Sequence, residues 1–464
     1  MHGLYTGRHE RIGSRTGSAK QEGTDTAQNR KRETGRNGYG AEQEARNRKG
    51  RIRRRTGRNG YGAEQEARNR RGRIQRRTGS TKQKGRIGSR IGSTKQEGTD
   101  TYSMKIAKIE LGEIQIPLVT PFKTALRTVD SVNDIIVRIT SDDGQEGFGE
   151  APATAVITGD TKGSIVTAVR DFIAPAVTGM DIEDMDGIMG RLHKCIVKNT
   201  SAKAAVDMAV YDLYAKSLNK PLYKVLGGNR DTIETDITIS VNGIEEMVRD
   251  SLKGVEQGFR ILKVKVGKEG LKDVERIAAI RQAVGKDIVI RVDANQGWQP
   301  KDAVRIIRAM EDKGLDIDLV EQPVDAHNFE GMKYVTSNVF TPILADESVF
   351  SPQDAIRLIQ EGGADLINIK LMKTGGIYEA LKICGIAESF GVECMTGCML
   401  ESKLAVSAAA HLAAAKGVIT RHDLDGPALC KTDPYEGGPL YAGAEIRMTE
   451  APGIGITKVP AVFA

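Results

Sequence analysis

Hydrophobic and polar residues alternate along two stretches near the start of the last 361 residues of the chain. The segments MKIAKIELGEIQIPL (104–118) and SVNDIIVRITSDDGQEGFGEA (131–151) keep a period of two, which predicts antiparallel strands. The period becomes helical in SAKAAVDMAVYDLYAKSLNKPL (201–222), where Ser201 is the expected N-cap and Pro221 marks the end. Residues 104–230 are therefore predicted to form an α+β capping domain.

Beyond residue 230, short apolar segments alternate with amphipathic ones. Eight segments read as strands and recur every 23 to 30 residues: ETDITISV (234–241), ILKVKVG (261–267), DIVIRVDA (287–294), IDLVEQP (317–323), TPILADES (341–348), ADLINIKL (364–371), GVECMTG (391–397) and GVITRHDLD (417–425). This spacing suits parallel strands joined by helices, and eight such strands close a (β/α)8 barrel.

The predicted fold class is thus α/β, with a (β/α)8 barrel over residues 231–440. A doubly wound open sheet is the alternative, but no glycine-rich phosphate loop follows the first strand. Residues 441–464 are expected to return to the capping domain.

The first 103 residues have a different composition. They carry 27 Lys and Arg against 10 Asp and Glu, a net charge of +17, whereas the rest of the chain has a net charge of −10. Only seven of them are Val, Leu, Ile, Phe or Met, too few for a core. Residues 34–55 recur at 56–77 with 20 of 22 identities, without the apolar face that a stacked repeat would bury. A disordered basic tail is predicted.

Two interpretations of this tail are open. An Arg/Gly-rich arm could bind nucleic acid through phosphates, although it has few aromatic residues to stack on bases and Glu recurs in its repeats. The other interpretation, which we favour, is that translation starts at Met104 and the upstream repeat is a misassigned start. A nucleic-acid partner is accordingly not expected.

The five cysteines, Cys195, Cys384, Cys394, Cys398 and Cys430, lie outside the tail and form no CxxC pair. Scattered thiols in a large protein are typical of a reducing compartment. The chain has no run approaching the ~20 apolar residues that span a bilayer, and its start lacks the apolar core of a signal peptide. A cytoplasmic protein without a membrane partner is expected, and a homo-oligomer stays open.

Charged residues stand at the ends of five consecutive predicted barrel strands and again at the last one. In such a barrel these ends converge on one mouth, where active sites lie. A single charge there would be an ordinary solvated loop residue, but a converging set is hard to explain in that way. The set comprises Lys263, Lys265, Asp293, Glu321, Asp346, Lys370, Asp423 and Asp425.

Asp293, Glu321 and Asp346 form an oxygen-only set without His or Cys. Such ligands favour Mg²⁺, with Mn²⁺ as an alternative, over Zn²⁺. One divalent ion is therefore predicted, with open positions for substrate oxygens.

Three lysines indicate the chemistry. Lys263 and Lys265 are two residues apart on one strand and face the barrel interior together, so their repulsion is expected to lower the pKa of at least one of them and to supply a base at neutral pH. Lys370 lies four strands further round, across the metal. A carboxylate substrate with a lysine on each side of its α-carbon suits a 1,1-proton transfer, in which one lysine removes the proton and the other returns one to the opposite face.

These motifs resemble the enolase superfamily, and specifically its muconate-lactonising subgroup. The resemblance rests on Lys-Val-Lys (263–265), Asp-Ala-Asn-Gln-Gly-Trp (293–298), Glu-Gln-Pro (321–323), Asp-Glu-Ser (346–348) and Lys-Leu-Met-Lys-Thr-Gly-Gly (370–376), and it covers Met104 to the C-terminus. A lysine base with Mg²⁺ is this superfamily's known pattern. The resemblance implies the same roles for Lys265, Lys370 and Lys263.

Within the subgroup, Asp423-Leu-Asp425 is similar to the aspartate pair by which dipeptide epimerases hold a free α-ammonium group, although the pair could also be a turn or helix cap. The loop 121–128 resembles the capping loop of L-Ala-D/L-Glu epimerases, in which Arg127 would pair with a γ-carboxylate. Residues 156–160 are expected to form the other half of the lid. Phe122, Thr238, Cys398, Met399 and Leu400 complete the expected substrate contacts, to which Lys263 also belongs.

The resemblance therefore implies a Mg²⁺-dependent dipeptide epimerase that acts on L-Ala-L-Glu or L-Ala-D-Glu in the turnover of murein peptides. Three alternatives stay open: an epimerase of hydrophobic or cationic dipeptides, an o-succinylbenzoate synthase or N-acylamino acid racemase, and an RNA-binding protein that uses the tail. Two carboxylates at the mouth disfavour an anionic acyl group.

Overall fold

A computed structural model describes residues 103–124 and 126–463. The predicted basic tail, apart from Ser103, lies outside the described residues. The fold begins with a four-stranded antiparallel sheet in the order β17-β1-β2-β3. Its strands are β1 (Ile106–Lys123), β2 (Thr128–Ser141), β3 (Glu146–Pro152) and, from the end of the chain, β17 (Val462–Phe463).

Helices cover one face of this sheet. They are α1 (Lys162–Thr167), a π-helical turn (Ala168–Ile173), α2 (Ala174–Val177), α3 (Met185–Lys194), α4 (Thr200–Ser217) and α5 (Leu222–Val225). The long helix α4 packs closely on β3 because two glycines there have no side chain. A Cβ at Gly147 would lie 2.2 Å from the carbonyl oxygen of Ala209, and one at Gly149 would lie 1.9 Å from that of Ala205.

The start of α4 differs from the expectation. Ser201 is not the N-cap: Asn199 holds that position with a φ of 52° and makes no side-chain cap. Ser201 lies one residue inside the helix, and its backbone N–H donates to Asp160 Oδ2 at 3.1 Å. A carboxylate from a distant loop thus replaces the expected local cap, which the local sequence could not reveal.

The second sheet has eight parallel strands that follow one another in chain order, as a (β/α)8 barrel requires. The strands are β5 (Ile237–Ile239), β6 (Ile261–Lys265), β7 (Val289–Asp293), β8 (Ile317–Glu321), β9 (Ile343–Ala345), β10 (Leu366–Ile369), β11 (Glu393–Gly397) and β12 (Ile419–Asp423). Each lies within the segment predicted for it. The first and last strands approach where Asp236 N donates to His422 O at 3.3 Å.

Helices connect these strands as the amphipathic segments predicted. They are α6 (Ile244–Glu256), α7 (Lys272–Val284), α8 (Pro300–Asp312), α9 (Phe329–Asn338), α10 (Pro352–Glu361), the short α11 (Leu371–Thr374), α12 (Ile377–Phe390), α13 (Lys403–Ala415) and the short α14 (Gly426–Leu429). No helix in the described part of the chain is long and apolar enough to cross a membrane.

The remaining strands lie beside the barrel. β4 (Thr232–Glu234) forms a small antiparallel sheet with β14 (Leu440–Ala442) and β15 (Glu445–Arg447), and β13 (Glu436–Gly437) pairs with β16 (Ile456–Lys458). β17 then pairs with β1 in the register Gly112 to Phe463. The end of the chain therefore supplies an edge strand to the first sheet.

Side chains fill the barrel interior below its mouth. Leu319, Leu344, Leu366 and Met395 form a buried cluster separate from the main core. Leu319, Leu344 and Leu366 lie two residues before Glu321, Asp346 and Asn368, so by the two-residue period of a strand they face the same interior as those polar residues. On β7 the interior position is held by Arg291, whose guanidinium pairs with Asp236 at 2.9 Å and Asp318 at 3.0 Å.

Candidate active site

The charged residues predicted at the strand ends meet at one mouth of the barrel. Lys265 is aligned with Asp293 across β6 and β7, and Asp293 with Glu321 across β7 and β8. Asp346 follows β9 and Lys370 follows β10 directly. All five side chains are buried, with at most 5% of their surface exposed. Because the parallel strands are in register, residues from separate sequence motifs lie together in one cluster.

The three predicted metal ligands are linked through lysine ammonium groups. Lys263 Nζ lies 2.8 Å from Glu321 Oε2 and 3.2 Å from Asp293 Oδ2. Lys370 Nζ lies 2.8 Å from Asp346 Oδ2 and 4.0 Å from Glu321 Oε1. Lysine ammonium groups therefore lie between neighbouring members of this set of carboxylates.

The donor set at this region fits a hard divalent cation. It offers carboxylate oxygens from three adjacent strands, with neither sulfur nor imidazole among Asp293, Glu321 and Asp346. Burial and the charges of Asp293 and Asp346 raise the pKa of Glu321 to about 8, although Lys263 and Lys370 oppose that rise. Burial opposes ionisation of Asp293 as well, but Lys265 and Lys263 outweigh it and lower its pKa to about 2. Of these two carboxyl groups, Glu321 is the one whose negative charge is less fully compensated by nearby positive charges.

Repulsion between Lys263 and Lys265 is expected to lower the pKa of at least one of them, and at Lys263 the structure shows the opposite. Burial does disfavour the charged form of Lys263, but the nearby carboxylates of Asp423, Glu321 and Asp293 outweigh it and raise its pKa well above the usual value. Carboxylates from other strands dominate, and the local Lys-Val-Lys spacing does not show them.

The environment of Lys370 is similar. Burial again lowers its pKa, but Asp346 and Glu321 together raise it above the usual value despite the opposing charge of Lys263. Lys265 Nζ bonds Asp293 Oδ2 at 2.6 Å and lies 6.0 Å from the centre of the Phe122 ring. The two lysines predicted to move protons thus stand on strands four positions apart.

A second acidic cluster lies beside the first. One carboxylate oxygen from each of Asp236, Asp423 and Asp425 lies within 4.8 Å of the others. Asp236 is paired with Arg291, and Asp423 Oδ2 accepts a bond from Lys263 Nζ at 2.6 Å. Each of these two carboxyl groups thus contacts a cationic side chain, although burial and the charges of Asp423 and Asp425 outweigh Arg291 and raise the pKa of Asp236 well above its usual value.

Asp425, unlike Asp236 and Asp423, forms no ion pair with a lysine or arginine in the described part of the chain. Its Oδ2 accepts a hydrogen bond from the backbone N–H of Thr238 at 2.7 Å. Burial and the adjacent charge of Asp423 raise its pKa to about 6. Asp425 therefore stays mostly ionised at pH 7 and can receive a further cation.

A pocket with about 610 Å³ of space not occupied by atoms, part of it open to solvent, lies above these groups. All of the predicted substrate-contacting residues line it: Arg127, Phe122, Thr238, Lys263, Cys398, Met399, Leu400, Asp423 and Asp425. Lys265, Lys370 and Asp346 line it too, whereas Asp293 and Glu321 are not among the lining residues. The predicted substrate site and the predicted proton-transfer groups thus share one cavity.

The two loops over this pocket come from the N-terminal sheet. Arg127 stands between β1 and β2, and its guanidinium has no ion-pair partner among residues 103–124 and 126–463. Val156 and Ile157 follow β3 and also line the pocket, as expected for the second half of the lid. Thr124 Oγ1 accepts the backbone N–H of Arg127 at 3.2 Å, which shapes the first loop.

Several supporting residues were not predicted. Asn368 Nδ2 donates to Glu321 Oε1 at 2.8 Å, and the buried ammonium of Lys373 contacts Asp346 Oδ1 at 2.7 Å. Asn295 and Glu347 line the pocket. Asn295 and Lys373 stand within the motifs Asp-Ala-Asn-Gln-Gly-Trp and Lys-Leu-Met-Lys, so those motifs carried a signal that single strand-end residues did not.

Two family models match the described part of the chain. Residues 108–227 match the N-terminal domain of the mandelate racemase / muconate lactonizing enzyme family, and residues 246–461 match the enolase C-terminal domain-like model. The L-Ala-D/L-Glu epimerase of Clostridium acetobutylicum is 55% identical over 356 residues, which cover 77% of this chain and 99% of that protein. The chain belongs to the enolase superfamily.

Solved structures of other enolase superfamily members agree with this membership. A substrate-liganded complex of the L-Ala-D/L-Glu epimerase from Bacillus subtilis matches with a TM-score of 0.76 and 52% identity, over 77% of this chain and 99% of that one. A dipeptide epimerase from Enterococcus faecalis complexed with Mg and L-Leu-L-Tyr matches with a TM-score of 0.74 and 43% identity, over 76% and 100%.

Proposed function

We propose that this protein is a Mg²⁺-dependent dipeptide epimerase that inverts the α-carbon of the C-terminal residue of L-Ala-L-Glu or L-Ala-D-Glu. The observation that carries the proposal is the placement of Lys265 and Lys370. They stand four strands apart, on either side of Asp293, Glu321 and Asp346, in the pocket that also contains Asp423 and Asp425. Relatives named as dipeptide epimerases support it.

Asp293, Glu321 and Asp346 would hold the cation, with Asn368 orienting Glu321. When bound, the cation would neutralise these carboxylates and stabilise the negative charge that develops on the substrate carboxylate as the α-proton leaves. The complex of the Enterococcus faecalis relative with Mg and a dipeptide supports the choice of ion.

The two lysines perform opposite halves of one proton transfer. One acts as a neutral amine and takes the α-proton, and the other acts as an ammonium group and gives a proton to the opposite face. After one turnover their protonation states have exchanged, which prepares the site for the reverse reaction. Lys263, held by carboxylates, keeps its charge and would stabilise the substrate carboxylate.

Asp425 and Asp423 would receive the free α-ammonium group of the dipeptide. Arg127 would pair with the γ-carboxylate of a glutamate residue, for which a planar guanidinium is well suited. Cys398, Met399 and Leu400 would form the wall beside the side chain. The absence of an ion-pair partner for Arg127 among the described residues supports its availability.

Deuterium exchange tests this proposal. Each member of a small dipeptide library is incubated in D₂O with Mg²⁺, and incorporation at the α-carbon is measured by mass. Exchange is expected for Ala-Glu and not for N-acyl amino acids, and no exchange with any dipeptide would contradict the function. Lys265→Ala and Lys370→Ala should each abolish epimerisation, while one of them keeps exchange for a single epimer. The choice of glutamate over hydrophobic or cationic side chains is read from the same library.

We further propose a cytoplasmic location, which the five free cysteines support. The role implied by the proposed substrate is the turnover of murein peptides. RNA binding through residues 1–103 is the non-enzymatic alternative, and it predicts salt-dependent binding that disappears when the tail is deleted. Sedimentation of the purified protein would establish whether it forms a homo-oligomer.

A further inference from the structure

The wall of the pocket beside the substrate side chain is a short segment between β11 and α13, residues 398–402, which we call the pocket loop. Its first residue is held from the barrel, because Cys398 N donates to Asp423 O at 3.1 Å. Its middle is held from within, because Met399 N donates to Glu401 Oε1 at 2.7 Å. Contacts at the other end of the loop, at Ser402, therefore also help to set its position.

Glu150 of β3 holds that end. This carboxylate is fully buried and comes from the N-terminal sheet, 252 residues before Ser402. Its Oε1 accepts the Ser402 backbone N–H at 2.8 Å, and its Oε2 accepts the Ser402 hydroxyl at 2.6 Å and the Ala405 N–H at 2.9 Å. The carboxylate thus caps the first turn of α13 and the end of the pocket loop at once.

The same residue is linked to the lid. β3 ends at Pro152, and Val156 and Ile157, which also line the pocket, follow a few residues later. Glu150 is also aligned with Ile136 of the fully buried centre of β2, so its backbone is held within the sheet. Glu150 therefore connects the strand that leads into the lid with the pocket loop.

The structure contains a counterpart with similar geometry, although burial raises the pKa of its carboxyl group to about 8. Asp207 of α4 is also fully buried, and its carboxylate accepts the backbone N–H groups of Ile377 at 2.6 Å and Tyr378 at 3.2 Å, at the start of α12. That helix follows the segment that carries Lys370. Two carboxylates of the N-terminal α+β unit thus cap two barrel helices, one behind the pocket loop and one behind a proton-transfer lysine.

We propose that Glu150 is a positioning residue that sets the pocket loop and thereby the discrimination between substrate side chains. This inference rests on the proposed dipeptide epimerase function and deepens it. Glu150 does not line the pocket, so its effect passes through Ser402 and the loop. A buried carboxyl group that accepts several hydrogen bonds fixes the geometry of its donors, which gives Glu150 control over the loop.

The test compares Glu150→Gln with Asp207→Asn. In Glu150→Gln the side chain keeps its size, but its amide nitrogen cannot accept a hydrogen bond, so the contacts to one oxygen are lost. The readout is the ratio of kcat/KM for L-Ala-L-Glu to that for L-Ala-L-Leu. We expect this ratio to change about tenfold in Glu150→Gln, mainly through KM, because small changes in pocket shape alter discrimination on this scale.

Asp207→Asn is expected to behave differently. It should lower kcat for both dipeptides by a similar factor, because the segment with Lys370 moves, and leave the ratio unchanged. An unchanged ratio in Glu150→Gln, or the same change of ratio in Asp207→Asn, would overturn the proposal. If Glu150→Gln does not fold, Ser402→Ala removes the hydroxyl contact from the other side, together with the hydroxyl's bonds to Tyr435 Oη and to the Leu404 N–H, and the same change of ratio is expected.

The proposal and the underlying function fail in different ways. Absence of α-exchange in the wild-type protein with every dipeptide contradicts the function. Dipeptide affinities measured by calorimetry supply the same ratio without turnover, so the positioning role is tested in either case. Mg²⁺ affinity should be unchanged in Glu150→Gln, and a loss of Mg²⁺ affinity that accounts for the altered ratio would also count against the proposal.

Discussion

Replacing Asp425 with asparagine removes one negative charge from the pocket and little else. The Thr238 N–H that donates to Asp425 Oδ2 at 2.7 Å can donate to an amide oxygen instead, so the local backbone should keep its position. Asp423 is already paired with Lys263 at 2.6 Å. The substitution therefore isolates the charge proposed to receive the substrate's α-ammonium group.

The magnitude follows from Coulomb's law. Two opposite charges about 4 Å apart attract each other by about 4 kcal/mol at an effective dielectric constant near 20, the value that suits partly buried pairs. Loss of solvation on binding reduces that gain, so a loss between about 1.4 and 4 kcal/mol is expected. Since about 1.4 kcal/mol is a factor of ten, kcat/KM for L-Ala-L-Glu should fall by roughly 10- to 1000-fold.

The assay is a cycle of two enzymes and two substrates. Wild type and Asp425→Asn are each tested with L-Ala-L-Glu and with its N-acetyl derivative, which has no ammonium group. The wild type should strongly prefer the free dipeptide, and the variant should lose most of that preference. A pH profile provides an independent test, because burial and Asp423 raise the pKa of Asp425 to about 6. In the wild type, kcat/KM for the free dipeptide should fall as the pH drops through 6, and this limb should disappear in the variant.

Equal losses on the free and the N-acetylated dipeptide would refute the reasoning, because they would show that the charge does not act on the ammonium group. Persistence of the limb near pH 6 in Asp425→Asn would likewise assign that titration to another residue.

Three further substitutions test other parts of the molecule. Arg127→Gln should raise KM for L-Ala-L-Glu by roughly 10- to 100-fold and leave that for L-Ala-L-Leu almost unchanged in steady-state assays, since only the first has a carboxylate to pair. Gly376→Ala should destabilise the fold by more than about 2 kcal/mol in urea denaturation, because φ is +120° and the new Cβ would lie 2.2 Å from Asp207 Cγ; Gly163→Ala, with open space around it, is the control. Burial lowers the pKa of His411 to about 4, so its neutral form stabilises the fold above pH 6.5 and about 3 kcal/mol is lost as the pH falls from 6.5 to 4. His411→Asn keeps an acceptor for the bonded backbone N–H. Denaturation at pH 7 and at pH 4 should show a correspondingly smaller loss of unfolding free energy in this variant than in the wild type. An equal loss would contradict the assignment to His411.

The barrel could be predicted because each of its strands is a short apolar segment, and six of the eight have charged residues at the end that faces the mouth. The residues at those ends, such as Lys265 and Asp293, are aligned by the parallel register alone. Chain order therefore predicts spatial order in this fold, and the pocket follows from it.

Contacts between the N-terminal unit and the barrel could not be predicted in this way. Glu150 and Ser402 are 252 residues apart, and neither stands in a pattern that indicates the other. The raised pKa of Lys263 has the same origin, because the carboxylates responsible come from three other strands. Ser201 matched the pattern of a helix cap, but Asp160 makes the bond instead. Local patterns specify elements, whereas partners across elements depend on the assembled fold.

The apolar layer of Leu319, Leu344, Leu366 and Met395 has a consequence for turnover. Because these side chains fill the barrel axis beneath the charged mouth, a dipeptide that enters past the loops with Arg127 and Val156 must leave by the same route. Both epimers therefore compete for the same entrance to the pocket as well as for the same binding site. Reaction progress should slow through competition from accumulating product well before equilibrium, and a more viscous medium should slow wild type more than a variant whose proton transfer is already impaired.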